Sequence, residues 1–396
     1  MKRRTDALPN PHPARFCFDL SGEEEARAAR LHEQSIVFDM MSQHAGGNIF
    51  EYYPDELWNQ WISEVSAERG GAPDLAELIY WPYENSRSGK SDLIKDWMLE
   101  GGLTCGTFGV DVHDGRDPDL NKWDWLVGRY ADLPWLRYVA TAGEVRQAKR
   151  DGMVAFYGHC QPTTAPPDDL GAFDRAYGRG MRSFMLTYNR MNNIGVGCTE
   201  RVDAGLSMFG LDVVKRCEDL GVMIDVSHCG RLTSLDACRT SSGPVNANHT
   251  SARGFYEHAR GKSDDELRAI ADTGGVIGVV AVPFFLSSDV NPTIEAMLNH
   301  IDYIARLVGP QSIARGTDWP LQIPDAAIDG TFGVEASKMG FRRQDNVKPT
   351  QRLVGFDDCR DLPNITRGLV SRGYSDSQIE GILGENALRA FSTVCG

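Results

Sequence analysis

Two short apolar runs that each close on a histidine set the pattern of this chain: VMIDVSH, ending at His228, and PVNANH, ending at His249. Between them, residues 233–239 have the spacing of about two helical turns, closed by Ser241, Ser242 and Gly243. Strand, short helix, strand, with a polar side chain at each strand's C-terminal end, is the unit of a parallel α/β fold. Similar runs recur as SIVFDM at 35–40, LTCGTFGV at 103–110, MVAFY at 153–157, RSFMLT at 182–187, GVIGVVAV at 275–282 and SIARGT at 312–317. They are mostly apolar and lack clean alternation, which suits strands covered on both faces. Helix signals fall between them. Ser263 with Glu266 reads as a capping box ahead of Leu267, Ile270 and Ala271. Leu211, Val214, Cys217 and Leu220 form one stripe that Gly221 ends. Ser375 with Gln378 caps a last helix expected to end at Phe391. Eight strands with alternating helices predict an α/β fold of the (β/α)8 TIM-barrel type. The rival, an open doubly wound sheet, should carry a glycine-rich phosphate loop after its first strand, and none follows Met40.

The expected organisation is an N-terminal arm and helix over residues 1–33 and a barrel over 34–396. The barrel carries an insertion at 46–102 and a C-terminal extension at 319–396, irregular as far as 362. The insertion holds Phe50, Tyr52, Tyr53, Trp58, Trp61, Tyr80, Trp81 and Tyr83, well above the chain's 9% aromatic content. It either buries a small core of its own or leans over the strand ends as a lid.

Composition narrows the function. A net charge of −14 argues against a nucleic-acid partner, which needs clustered Lys and Arg. No apolar run approaches the ~18 residues of a membrane span. Met1-Lys2-Arg3-Arg4 is basic, but Pro9, Pro11 and Pro13 follow where a signal peptide needs an apolar segment. Nine cysteines without tight pairing suggest free thiols and a cytoplasmic protein.

In parallel barrels the active site is built at the C-terminal ends of the strands. Here those ends deliver Asp39 to His44, then Tyr157, His159 and Cys160, then Tyr188, Asn189 and Arg190, then His228, His249 and Asp318. Two histidines and a carboxylate at one mouth have the makings of a hydrolytic metal site. Neutral imidazoles hold Zn²⁺, and Asp318 shuttles a proton beside the attacking water.

The chain resembles the renal (membrane) dipeptidase family, peptidase family M19, among the amidohydrolase-like barrels. The resemblance rests on LTYNRMNN at 186–193, DAGLSMFGLDVVKRCEDLGVMIDVSHCG at 203–230, HTSAR from 249, HARGKSDDELRAIADTGGVIGV at 258–279, GTDW at 316–319 and GENALRAF at 384–391. Its wording is most similar to a bacterial branch. The resemblance implies that His228 and His249 are metal ligands, Asp318 the catalytic aspartate and Arg260 the holder of the substrate carboxylate. Tyr188 stands where other members have a histidine facing the tetrahedral intermediate. Asn189, Tyr157 and His159 are expected to line the substrate site. Two departures stand out. Met41 and Gln43 occupy the places of the family's first-strand histidine and aspartate, and Tyr157 that of the glutamate bridging two metals. At most one zinc ion is therefore expected and no binuclear centre. His44 and His159 lack the spacing to replace the lost ligands. The function implied is a dipeptidase-like hydrolase acting on a small amide or dipeptide with a free carboxylate. The alternatives are a lyase, dehydratase or isomerase in the same pocket, or a metal-free binding protein. A homodimer follows from the resemblance alone.

Overall fold

The apolar runs form one parallel sheet in the order β1 (Cys105–Val110), β3 (Val154–Cys160), β4 (Met181–Met185), β5 (Met223–Asp225), β6 (Val245–Ala252), β8 (Ile277–Val279) and β9 (Ile313–Arg315). Two short additions, β2 (Leu136–Tyr138) on β3 and β7 (Gly261–Lys262) on β6, carried no sequence signal of their own. This computed structural model describes residues 16–42, 49–69, 75–110, 120–161, 169–318, 320 and 340–396. The eighth stave is the first apolar run. Phe38 bridges to Cys105 and Asp39 to Arg315, both parallel, with Asp39 N donating to Cys105 O at 2.8 Å and Met40 N to Arg315 O at 2.9 Å. The segment thus joins β9 to β1 and closes the barrel, so every inner strand edge is paired.

The predicted helices form with the expected caps. Ser263 and Glu266 make the reciprocal capping box of Asp264–Asp272, and left-handed Gly221, at φ 71°, ends Met208–Leu220. The last helix runs further than expected, as Asp376–Glu380, a π-turn at Gly381–Glu385, and Asn386–Cys395. The π-turn has a use: Leu383 O accepts the N–H of Phe38 at 2.9 Å, tying the helix to the first stave. Beyond it, Leu388 and Phe391 pack with Phe38, Met40, Cys105, Ala155, Tyr157, Met223 and Ala314 to form the barrel floor.

The N-terminal helix, Gly22–Gln34, is docked on the helix Leu362–Ser371 through the Glu25–Arg367 ion pair and His32 Nδ1 at 2.8 Å from Thr366 Oγ1. Within the insertion, the rings of Phe50, Tyr53, Trp58 and Trp61 interlock with Trp81, and Tyr52 sets edge-on against Trp97 at 4.8 Å. This ring geometry is that of a small core. Attachment to the barrel runs through Tyr80, whose hydroxyl donates to Gly109 O at 3.0 Å, and Tyr83, whose ring is 5.1 Å from Phe108. All nine cysteines are free thiols. Among the described residues no helix is long and apolar enough to cross a membrane.

Candidate active site

The two organising histidines stand just past β5 and near the end of β6, and a buried carboxylate one layer down ties their turns together. Asp225, the last residue of β5, accepts on Oδ1 the N–H of Ser227 at 2.9 Å, the Ser227 hydroxyl, and the N–H of Asn248 at 2.9 Å. Ser227 Oγ in turn accepts the N–H of His249 at 3.0 Å. Two glycines make room for this crowding. A Cβ on Gly278 or Gly316 would lie 1.9 or 1.8 Å from Asn248 O, inside contact distance, so only glycine fits either place.

These turns bring His228 Nε2 and His249 Nε2 to 3.0 Å, with both rings buried. His228 Nδ1 lies 2.7 Å from Asn189 Oδ1, an atom that only accepts, so the ring proton sits on Nδ1 and Nε2 carries a lone pair. Tyr188 stacks on His228 with ring centroids 4.0 Å apart and planes 18° from parallel. Burial pushes the His228 pKa well below its ordinary value, and the charges of Arg260 and His249 act in the same direction. A neutral imidazole with its proton held at the back is the form that ligates a metal. The pair could supply two donors to one ion. Among the described residues no third His, Cys, Asp or Glu joins it in a metal-type cluster.

Arg260, expected in a loop on the active-site side as the holder of the substrate carboxylate, stands in the turn before β7. It is 1% exposed, with Nη1 donating to Ser227 O at 2.5 Å and Nη2 to His249 O at 3.0 Å. One guanidinium thus spans the carbonyls of both histidine-bearing turns. Its Nε has no hydrogen-bond partner among the described residues, and Cζ lies 5.4 Å from the Phe285 ring centre. Lys262, two residues on, donates to Cys229 O and to Ser234 Oγ at 2.8 Å each, with its charge balanced by Glu266 at 3.1 Å.

Other expected site residues lie elsewhere. Tyr157 is in the barrel floor, with its ring 5.3 Å from Phe391 and its hydroxyl donating to Met40 O at 3.3 Å. Position 157 precedes the strand's end by three residues, so it does not reach the mouth. His159 is on the inner face but fully buried, with Nδ1 3.0 Å from Ser183 Oγ. Met41 is buried, and its sulfur takes the Thr107 hydroxyl at 3.9 Å. Gln43 and His44 lie outside the described residues. Asp318 is half-buried past the end of β9, and its N–H donates to Met41 O at 2.8 Å. Its φ of 51° is left-handed, a region that Asp tolerates better than most side chains. Asp225, Ser183 and Lys262 were missed. The signal for Asp225 was a lone charge inside the apolar run VMIDV.

Comparison with known proteins identifies the family. The sequence profile of "Membrane dipeptidase (Peptidase family M19)" matches residues 91–329. A Klebsiella pneumoniae protein described as the uncharacterized protein in the pqqA 5' region is 26% identical over 273 residues, 65% of this chain and 89% of its own length. The crystal structure of an amidohydrolase from Pseudomonas aeruginosa superposes with a TM-score of 0.72 at 27% identity, covering 93% of this chain and 99% of that one. A metallo peptidase from Rhodobacter sphaeroides, liganded with a phosphinate mimic of the dipeptide L-Ala-D-Ala, superposes with a TM-score of 0.62 at 21% identity, covering 76% and 89%. With the profile spanning more than half of the sequence, the chain belongs to the membrane dipeptidase family, peptidase family M19, and is a hydrolase of that family.

Proposed function

We propose that this hydrolase cleaves a small amide or dipeptide that carries a free carboxylate, with at most one zinc ion held by His228 and His249. The observation that carries this reading is the pair itself: two Nε2 atoms 3.0 Å apart, one ring with its Nδ1 anchored on Asn189, the other with its Nδ1 3.9 Å from Asp225. A divalent ion bound there would polarise the scissile carbonyl and acidify water. The remaining work falls to the chain. Asp318 accepts the proton of the attacking water and returns it to the leaving amine. Tyr188, stacked on His228, would be the phenol that donates to the charge developing on the carbonyl oxygen. Arg260 holds a buried positive charge behind the pair, and that charge attracts the substrate carboxylate. Asn189 orients His228. The phosphinate dipeptide mimic held by the Rhodobacter sphaeroides metallo peptidase supports a dipeptide-type substrate.

The first-strand Met41 and the floor position of Tyr157 support a single ion. Nine free thiols fit a reducing, cytoplasmic setting, and a homodimer is expected on family grounds. The test is zinc content of the purified protein together with hydrolysis of dipeptides as free acids and as C-terminal amides. One zinc per chain and a preference for the free acid are expected. Two zinc ions per chain would refute the ligand assignment, and equal rates on acid and amide would refute the substrate class.

A further inference from the structure

Beneath the mouth histidines the barrel carries a third imidazole that the roles above leave unused, set against the carboxylate that ties the two turns. Asp225 and His159 are both fully buried. Oδ1 of Asp225 accepts from Ser227 and Asn248, whereas Oδ2 has no hydrogen-bond partner among the described residues. That second oxygen faces two imidazole nitrogens, His159 Nε2 at 3.8 Å and His249 Nδ1 at 3.9 Å. The neighbouring bonds favour one His159 tautomer. Asn248 Nδ2 donates to Ser183 Oγ at 3.2 Å, and the Ser183 hydroxyl proton can then go to His159 Nδ1 at 3.0 Å, the arrangement that turns an N–H toward Asp225. Nδ1 then accepts, and the ring proton lies on Nε2, the nitrogen that faces Asp225. A buried carboxylate oxygen without donors is costly unless N–H dipoles turn toward it. His159 offers such a dipole from β3, and His249 on β6 would offer a second once an ion between the two Nε2 atoms moves its proton to Nδ1.

We propose that Asp225 and His159 are a positioning pair for the mouth histidines. Asp225 keeps the proton of His249 on Nδ1, so that Nε2 is presented beside that of His228. His159 holds Asp225 in place from the far side. The consequence for zinc rests on the function proposed above. The tautomers do not, and the experiment separates the two.

Asp225→Asn retains an oxygen for the Ser227 and Asn248 N–H groups and replaces the charged Oδ2 by a donor. In full-length protein labelled with ¹⁵N-histidine, the parent should show His159 protonated on Nε2 and, with Zn²⁺ added, His249 protonated on Nδ1. The variant should lose this His249 pattern, and its affinity for Zn²⁺ should fall roughly 10–100-fold, the usual effect of losing a residue that orients a metal ligand. His159→Gln offers an amide oxygen to Ser183 and an N–H to Asp225, so it should keep most of the parent's zinc affinity. His159→Leu should not. This contrast carries the test if Asp225→Asn fails to fold. A parent with His159 protonated on Nδ1 overturns the proposal. So does an Asp225→Asn protein with the parent's His249 pattern and affinity, or equal affinities in the two His159 variants. A parent that takes up no Zn²⁺ refutes the metal reading instead. In that case the pair is upheld if Asp225→Asn, or His159→Leu but not His159→Gln, changes the His249 pattern, and refuted if nothing does.

Discussion

Replacing Arg260 separates a clamp from a substrate anchor. Its guanidinium is 1% exposed and donates to Ser227 O at 2.5 Å and His249 O at 3.0 Å, both from a charged donor. Hydrogen bonds of that kind contribute ~1.5–3 kcal/mol each, and removing the donor leaves both carbonyls buried and unmet. Arg260→Ala should therefore cost ~3–6 kcal/mol, a large part of the ~5–15 kcal/mol typical of a folded domain. Arg260→Lys can reach one carbonyl but cannot span two, because an ammonium lacks the planar fork, so it should recover about half. Urea denaturation followed by circular dichroism at pH 7 reads this directly, provided the slope with urea is unchanged. The anchor role is read separately on the better-folded Arg260→Lys protein. Its kcat/KM on a free-acid dipeptide should fall ~30-fold or more, in line with ~2–5 kcal/mol for an interfacial charge pair, with a smaller fall on the C-terminal amide. If Arg260→Ala unfolds within ~1 kcal/mol of the parent, the two bonds to Ser227 and His249 do not hold the turns and the clamp is wrong. Equal losses on acid and amide would leave the clamp and remove the anchor.

Other perturbations have equally definite outcomes. His228→Ala or His249→Ala should abolish retention of zinc after dialysis, and an unchanged zinc content by elemental analysis would place the ion elsewhere. Asp318→Asn keeps a residue that tolerates the φ of 51° and should lower kcat by ~10²–10⁴ with little change in melting temperature; a parent-like kcat would end its proton-transfer role. Burial lowers the pKa of His32 and of His300 from 6.5 to about 4, so between those values the unfolded chain binds more protons than the folded one. Stability is then fully present above pH 6.5 and falls as the pH drops toward 4, by up to ~3 kcal/mol for each histidine. A urea midpoint that stays constant from pH 7 to pH 5 would contradict this, and His300→Gln should flatten the curve. Gly316→Ala would set a Cβ 1.8 Å from Asn248 O and 3.2 Å from the His249 Cβ, and it should destabilise the fold by more than ~4 kcal/mol; a soluble protein of parental melting temperature would refute that packing.

The barrel was legible because the information it needs is local. Apolar runs without alternation, Ser263 with Glu266, and Gly221 after Leu220 each state their structure within a few residues. The strand-end histidines were legible for the same reason, since a parallel strand's C-terminal end is known once the strand is. Only the closed sheet decided which inner positions reach the mouth. Tyr157 reads as a strand-end residue in sequence, but β3 continues to Cys160, so its ring falls to the floor beside Phe391. Arg260 reads as a loop arginine, but the two carbonyls that bury it come from residues 33 and 11 positions away. Asp225 shows only as a charge in an apolar run. Its place between His159 and His249 depends on β3, β5 and β6 meeting across the barrel interior. Periodicity and caps act over one turn or one strand, whereas the direction and partners of a buried polar group are set by strands that the chain brings together from far apart.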